Sequence, residues 1–127
     1  MNFDELIFLD GAMGTMLQAR GMKPGDNPCV FGAENPQILE DIHRGYFEAG
    51  SQIVLSNTFG ASVPKMKDSG MSCEEATFAA VSAAKEALIL SSGPMSEISI
   101  SVFPGLRRRC PFQSSVSQYN IRTPRPP

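Results

Sequence analysis

A strand–helix–strand pattern over residues 6–56 constrains this chain more than any other feature. Leu6-Ile7-Phe8-Leu9 is a short apolar run of the kind that forms a strand buried on both faces. Ile53-Val54-Leu55 is a second. Between them Asn35-Pro36 opens a helix, with Asn as N-cap and Pro at the first helical position. Ile38, Leu39, Ile42, Tyr46 and Phe47 recur at helical spacing as its buried stripe, and Gly50 supplies the stop. Strand, helix, strand in this order implies a right-handed parallel crossover. Parallel sheets bind ligands just beyond the C-terminal ends of their strands. Here those ends read Asp10-Gly11 and Ser56-Asn57-Thr58.

The rest of the chain extends the pattern. Met13–Arg20 reads as a short helix stopped by Gly21. Residues 21–34 hold Pro24, Gly25, Asp26, Asn27, Pro28 and Gly32 and read as loop. A short amphipathic piece lies in 62–70. Ser72-x-x-Glu75 is a capping box, and it starts an alanine-rich helix from about Cys73 to Leu90. Its small residues, such as Ala76, Ala80, Ala83, Ala84 and Ala87, suit close approach to a sheet. Gly93-Pro94 ends it, and Ile98–Val102 alternates in the manner of a third strand.

Charge divides the chain sharply. All 13 acidic residues lie in 1–97 with six Lys or Arg, a balance of 6 − 13 = −7. Residues 98–127 hold five Arg, five Pro and no acid. That switch marks a boundary, with an α/β region over 1–97 and an Arg/Pro/Ser-rich tail over 98–127 that is expected to be disordered. At 127 residues the chain is short for a (β/α)₈ barrel, which takes roughly 250. No apolar run reaches membrane-spanning length, and no basic n-region opens the chain, so the expectation is a cytoplasmic protein without a membrane partner. Cys29, Cys73 and Cys110 are odd in number and widely spaced, which fits reduced thiols better than a disulfide framework.

Asp10 and Gly11 at the first strand end can accept and donate hydrogen bonds to a substrate amine or hydroxyl. Asp10 can equally cap the turn that follows. Asn57 and Thr58 stand in the equivalent place after the second strand, where an amide can bind a substrate carboxylate or hold the loop. Phe59 reads as packing. His43, the sole histidine, lies beside the helix stripe and reads as a surface or half-buried structural residue. Cys29, His43 and Cys73 match no zinc spacing. Gly11-x-x-Gly14-Thr15 lacks the lysine of a phosphate loop. Arg107-Arg108-Arg109 has no interleaved aromatics and reads as a solvated tail without a specific nucleic-acid partner.

Together, Leu9-Asp10-Gly11-Ala12-Met13-Gly14-Thr15-Met16-Leu17-Gln18, Gly21-Met22-Lys23-Pro24-Gly25, Asn35-Pro36, Ile42-His43, Tyr46-Phe47-Glu48-Ala49-Gly50 and Ser56-Asn57-Thr58-Phe59-Gly60-Ala61 resemble the homocysteine S-methyltransferase family over about residues 5–95. The Asp-Gly-Ala-Met-Gly-Thr form is similar to the cobalamin-dependent methionine synthase branch. The resemblance implies the N-terminal part of a (β/α)₈ TIM barrel over 1–97, incomplete here, and since the family pattern stops there it implies a lost reading frame or a faulty gene model over 98–127. It implies a methyltransferase in which zinc, held by three cysteine thiolates late in the barrel, activates the homocysteine thiolate. It further implies a separate methyl-donor domain carrying methylcobalamin recharged from methyltetrahydrofolate. Asp10, Gly11, Asn57 and Thr58 match positions lining the amino-acid pocket. No Cys-Cys pair is present, so the expectation is a chain without zinc ligands and without turnover alone. Two other readings stand beside it: a non-catalytic α/β fragment that pairs its open sheet edge with a partner, and a small domain with a basic polyanion-binding tail.

Overall fold

The computed structural model describes residues 6–91 and 97–99. Expectations for Cys110 and for the tail from Pro104 onward lie outside the described residues. The elements run α1 (Gly14–Gln18), α2 (Pro28–Glu34), α3 (Pro36–Glu48), β1 (Ile53–Leu55), α4 (Val63–Met66), α5 (Cys73–Leu90) and β2 (Glu97–Ser99).

The strands are parallel, as the strand–helix–strand pattern requires. Ile53, Val54 and Leu55 pair in register with Glu97, Ile98 and Ser99. On the other side of β1, Leu9 forms a single parallel bridge to Ile53. Gln52 donates its backbone N–H to Phe8 O (2.8 Å), and Asp10 donates its own to Ile53 O (2.9 Å). The expected first strand over 6–9 is thus reduced to an extended segment with one bridge. Its physical context explains why. Leu6, Phe8 and Leu9 are 77%, 58% and 54% exposed, so little burial draws the segment into a regular ladder.

The helices carry the packing. α5 presents its alanines as one stripe. Ala76 packs with Cys29 and Met66, Ala80 and Ala83 pack with Leu39, and Ala84, Ala87 and Leu88 pack with Phe47 and Val54. Small side chains let α5 lie close to α2, α3 and β1 at once. Leu17, Met22 and Ile42 form a further cluster between α1 and α3. The capping box is made as the sequence predicts: Glu75 N–H donates to Ser72 Oγ (3.1 Å) and Ser72 N–H to Glu75 Oε2 (2.9 Å). The Ser72 N–H holds the exposed Glu75 carboxyl below its ordinary range. At the end of α3, Gly50 takes φ of 103°, and Ser51 N–H reaches Tyr46 O (3.0 Å) while Gly50 N–H reaches Phe47 O (3.0 Å). That paired geometry turns the chain out of the helix and into β1.

Two local expectations need correction. Residues 21–34 are not all loop, because α2 occupies Pro28–Glu34. Asn27 caps it, with its side chain accepting from Cys29 N–H (2.9 Å), and Pro28 sits in its first turn. Asn35, by contrast, makes no side-chain cap to α3. Its amide and its backbone N–H both donate backward to Phe31 O, at 2.9 and 3.0 Å, while its carbonyl accepts from Ile38 and Leu39. One residue therefore closes α2 and opens α3.

His43 is more deeply buried than the sequence suggests, at 0% exposure. It lies one turn from Leu39 and one from Phe47, both of which pack on α5. The alanines of α5 leave room for an imidazole there. Neither ring nitrogen has a hydrogen-bond partner. Burial pushes the ring down to about 4 from 6.5, so it is neutral at pH 7.

Candidate functional site

Asp10 and Asn57 emerge at the same end of the parallel strands, one residue past Leu9 and two past Leu55. Asp10 Oδ2 accepts the backbone N–H of Leu55 (2.9 Å), which ties the first strand end to β1. Asp10 Oδ1 is buried and has no partner. Burial raises the carboxyl above its ordinary value of 3.8, while the N–H groups of Leu55 and of Asp10 itself pull it down. One oxygen is therefore structural and the other is an open acceptor at the strand end.

Gly11 follows against Tyr46. A Cβ on Gly11 would lie 3.1 Å from Tyr46 Oη, and that hydroxyl donates to Ala12 O (2.8 Å). The turn after the first strand is thus pinned to the last turn of α3. A depression of about 410 Å³ lies beside it, lined by Phe8, Leu9, Gly11, Tyr46, Gly50 and Ser51. Of the strand-end residues only Gly11 lines it; Asp10, Asn57 and Thr58 do not.

The second strand end is built differently. Ser56 and Asn57 are buried at 3% and 7% exposure. Asn57 Nδ2 donates to Pro28 O (2.7 Å). Thr58 N–H donates to Ser56 O (2.8 Å), and the two hydroxyls lie 3.2 Å apart. Phe59 does not pack inward as expected. It is 62% exposed, with Lys65 Nζ 4.4 Å from its ring centroid. The ring and the ammonium stabilise each other at the surface.

Sequence reasoning missed the residues that hold this second end. Cys29, 1% exposed, donates its thiol to Asn57 O (3.1 Å) and accepts from Gly60 N–H (3.1 Å). Asn27 Nδ2 donates to Gly60 O (3.2 Å) and to Lys65 O (3.3 Å). Burial pushes the Cys29 thiol up to about 11, against the opposing pull of the Gly60 N–H. The Asn27-Pro28 dipeptide was the available signal, since it marks a capped helix start.

Zinc, implied by the resemblance, does not fit the described donors. A cysteine that binds zinc must do so as thiolate, and Cys29 is a buried neutral thiol with both its hydrogen-bonding roles filled. Among the described residues no three His, Cys, Asp or Glu side chains converge on one point. Nor is any helix among them long and apolar enough to cross a membrane.

Comparison with known proteins shows the family. The family model described as homocysteine S-methyltransferase covers residues 7–114. Methionine synthase of Mycobacterium tuberculosis (strain ATCC 25618 / H37Rv) is 43% identical over 65 residues, 46% of this chain and 6% of that protein. Homocysteine S-methyltransferase of Escherichia coli (strain K12) is 33% identical over 60 residues, 46% of this chain and 19% of that protein. A crystal structure of an Escherichia coli homocysteine methyltransferase in its metallated form superposes with a TM-score of 0.66 at 26% identity, covering 77% of this chain and 38% of that one. The chain thus spans well under two thirds of each relative.

Proposed function

Because the chain belongs to the homocysteine S-methyltransferase family, we propose that its two strand ends form part of the homocysteine pocket of a methionine synthase type enzyme. In that enzyme residues 1–97 are the opening portion of a (β/α)₈ barrel, and the reaction transfers a methyl group to the sulfur of homocysteine to give methionine. The observation that carries the reading is Asp10. It stands at a parallel strand end with Oδ2 tied to Leu55 N–H and Oδ1 buried without a partner. A buried acceptor in that state gains from any donor that reaches it, and the ammonium group of an amino acid is such a donor. Gly11 keeps the neighbouring backbone bare of side chain. Asn57 and Thr58 form the second wall, shaped by the bonds that Asn57 makes to Pro28 and Cys29.

The division of labour follows from the donor set. Zinc would hold and activate the substrate thiol when bound, and its ligands belong to segments other than the described residues. Cobalamin, with methyltetrahydrofolate as the source of methyl groups, belongs to a separate donor domain. What the described residues do is orient the amino-acid end of homocysteine. Three widely spaced cysteines fit a reducing, cytoplasmic setting. The tail over 98–127 carries no part of this reading.

The test is substitution of Asp10 in an enzyme that spans the whole barrel. Asp10→Ala should raise the KM for homocysteine by the equivalent of roughly 1–3 kcal/mol, as expected when a buried polar partner is lost. Unchanged homocysteine kinetics would remove Asp10 from the pocket. The 127-residue chain by itself should hold no stoichiometric zinc and show no turnover, as metal analysis and a methyl-transfer assay would report. One tightly bound zinc per chain, with turnover, would overturn that expectation.

A further inference from the structure

We propose that the turn Asn27-Pro28-Cys29 is the positioning element of the substrate rim, with Cys29 as its central residue. It holds residues 57–60 in place from behind and touches no substrate. The proposal rests on the homocysteine-pocket reading above.

Four hydrogen bonds cross between the two segments. Pro28 O accepts from Asn57 Nδ2, Cys29 Sγ bridges Asn57 O and Gly60 N–H, and Asn27 Nδ2 donates to Gly60 O. Backbone donors and acceptors of the rim loop are thus satisfied by one turn some thirty positions earlier in the chain, where water would otherwise be needed. Shape enforces the same contact. A Cβ on Gly60 would collide with Asn27 Oδ1 and lie 3.1 Å from Cys29 Sγ, and a Cβ on Gly32 would lie 2.7 Å from Asn57 Nδ2. Two glycines therefore let the loop and α2 close on each other. The sulfur stands between a carbonyl and an N–H of the loop, 3.1 Å from each. Met66 and Ala76 pack against Cys29 and keep it from turning away.

A thiol in this position is not a nucleophile. It is buried, it is neutral at physiological pH, and its burial raises its ionisation well above the ordinary range. Its chemistry is that of a soft, two-sided hydrogen-bonding wedge. The hydroxyl of serine retains both roles at shorter reach, whereas alanine retains neither.

The experiment compares Cys29→Ala, Cys29→Ser and Gly60→Ala with the native 127-residue chain. Amide hydrogen exchange at Gly60 and Thr58 reads the clamp, amides of α5 report whether the fold persists, and calorimetric titration with homocysteine reads the rim. In Cys29→Ala, exchange at Gly60 should speed up by roughly tenfold or more while α5 stays protected, as expected for loss of a buried partner. Cys29→Ser should restore most of the protection. Homocysteine affinity should follow the same order. Should Cys29→Ala fail to fold, Gly60→Ala opens the clamp from the other side and should give the same signature. Native-like Gly60 exchange in a folded Cys29→Ala or Gly60→Ala chain would overturn the proposal. Faster Gly60 exchange with unchanged homocysteine affinity would overturn the positioning role alone. If the native chain takes up no homocysteine, the positioning role is overturned for this chain, the pocket reading is decided by the Asp10 substitution in the whole barrel, and the exchange data still decide whether the turn holds the loop.

Discussion

The helical seam between α3 and α5 and the extended layer beneath it are opposite cases. In the seam Leu39 and Phe47 meet the alanine stripe of α5, and Ile42 and His43 are buried beside them on α3, even though the imidazole has no hydrogen-bond partner. In the extended layer Leu6, Phe8 and Leu9 are apolar and mostly exposed, and only Val54 of β1 is fully covered. The apolar pattern is equally strong in both. What differs is the cover. A helix can bury its stripe on its neighbour within one crossover, while a parallel strand needs flanking strands on both sides. Local pattern therefore predicts where an element wants to be buried, and only the assembled neighbours determine whether it is.

The largest expected effect breaks the comparison at its dry side. Leu39→Ala should destabilise the chain by about 2–5 kcal/mol, the range for a truncated core leucine, and urea denaturation would measure it. Leu9→Ala should cost far less, because its side chain is already more than half exposed. Equal losses at the two positions would show that the extended layer is as well packed as the seam.

Acid should probe the same seam through His43. Its folded value of about 4 lies below the ordinary 6.5, so the unfolded chain binds the proton more readily. Stability from the neutral ring is fully present above pH 6.5 and is lost as pH falls toward 4, by about 3 kcal/mol in all. No opposite charge relieves this. Arg44 pairs with Asp41 and Glu48 along α3, and Glu74, Glu75, Lys85 and Glu86 of α5 are exposed. His43→Leu should flatten that part of the pH profile, and thermal melts from pH 7 to 4 would show it. A native profile retained in the variant would assign the acid sensitivity to the carboxylates instead.

The smallest effect sharpens the wet side. Leu6→Ser should change stability by no more than about 0.5 kcal/mol, since the side chain is 77% exposed. It should nevertheless raise solubility, because an apolar edge is removed from solvent. Static light scattering against concentration would compare the two chains.

These regions also divide what was legible in the sequence. The capping box at Ser72 and Glu75 and the stop at Gly50 rest on interactions within a few residues, and the parallel crossover follows from the order of the elements, so each was readable. α2 was readable in principle, since Asn27-Pro28 repeats the signal of Asn35-Pro36, but the surrounding glycines and prolines argued for loop. The roles are in fact exchanged, for Asn27 caps its helix through its side chain and Asn35 does not. The burial of His43 depends on alanines on α5, some forty positions away, and no local pattern contains it. At the site, the strand ends were legible from topology. That Asp10 keeps one oxygen open while Asn57 is held by Pro28 and Cys29 depends on long-range bonds, and periodicity carries no trace of them.

The junction at Asn35 has a kinetic consequence. α2 ends and α3 begins on one residue whose N–H groups and carbonyl are taken up by the two helices. There is no slack there for a hinge. For α2 to swing outward it must break these bonds and also leave α5, where Cys29 packs on Ala76. The segment that hangs from α2 is therefore not a lid. On the proposed reading, homocysteine should meet a rim that is already formed, and its on-rate should be set by encounter, with no delay for the protein to rearrange.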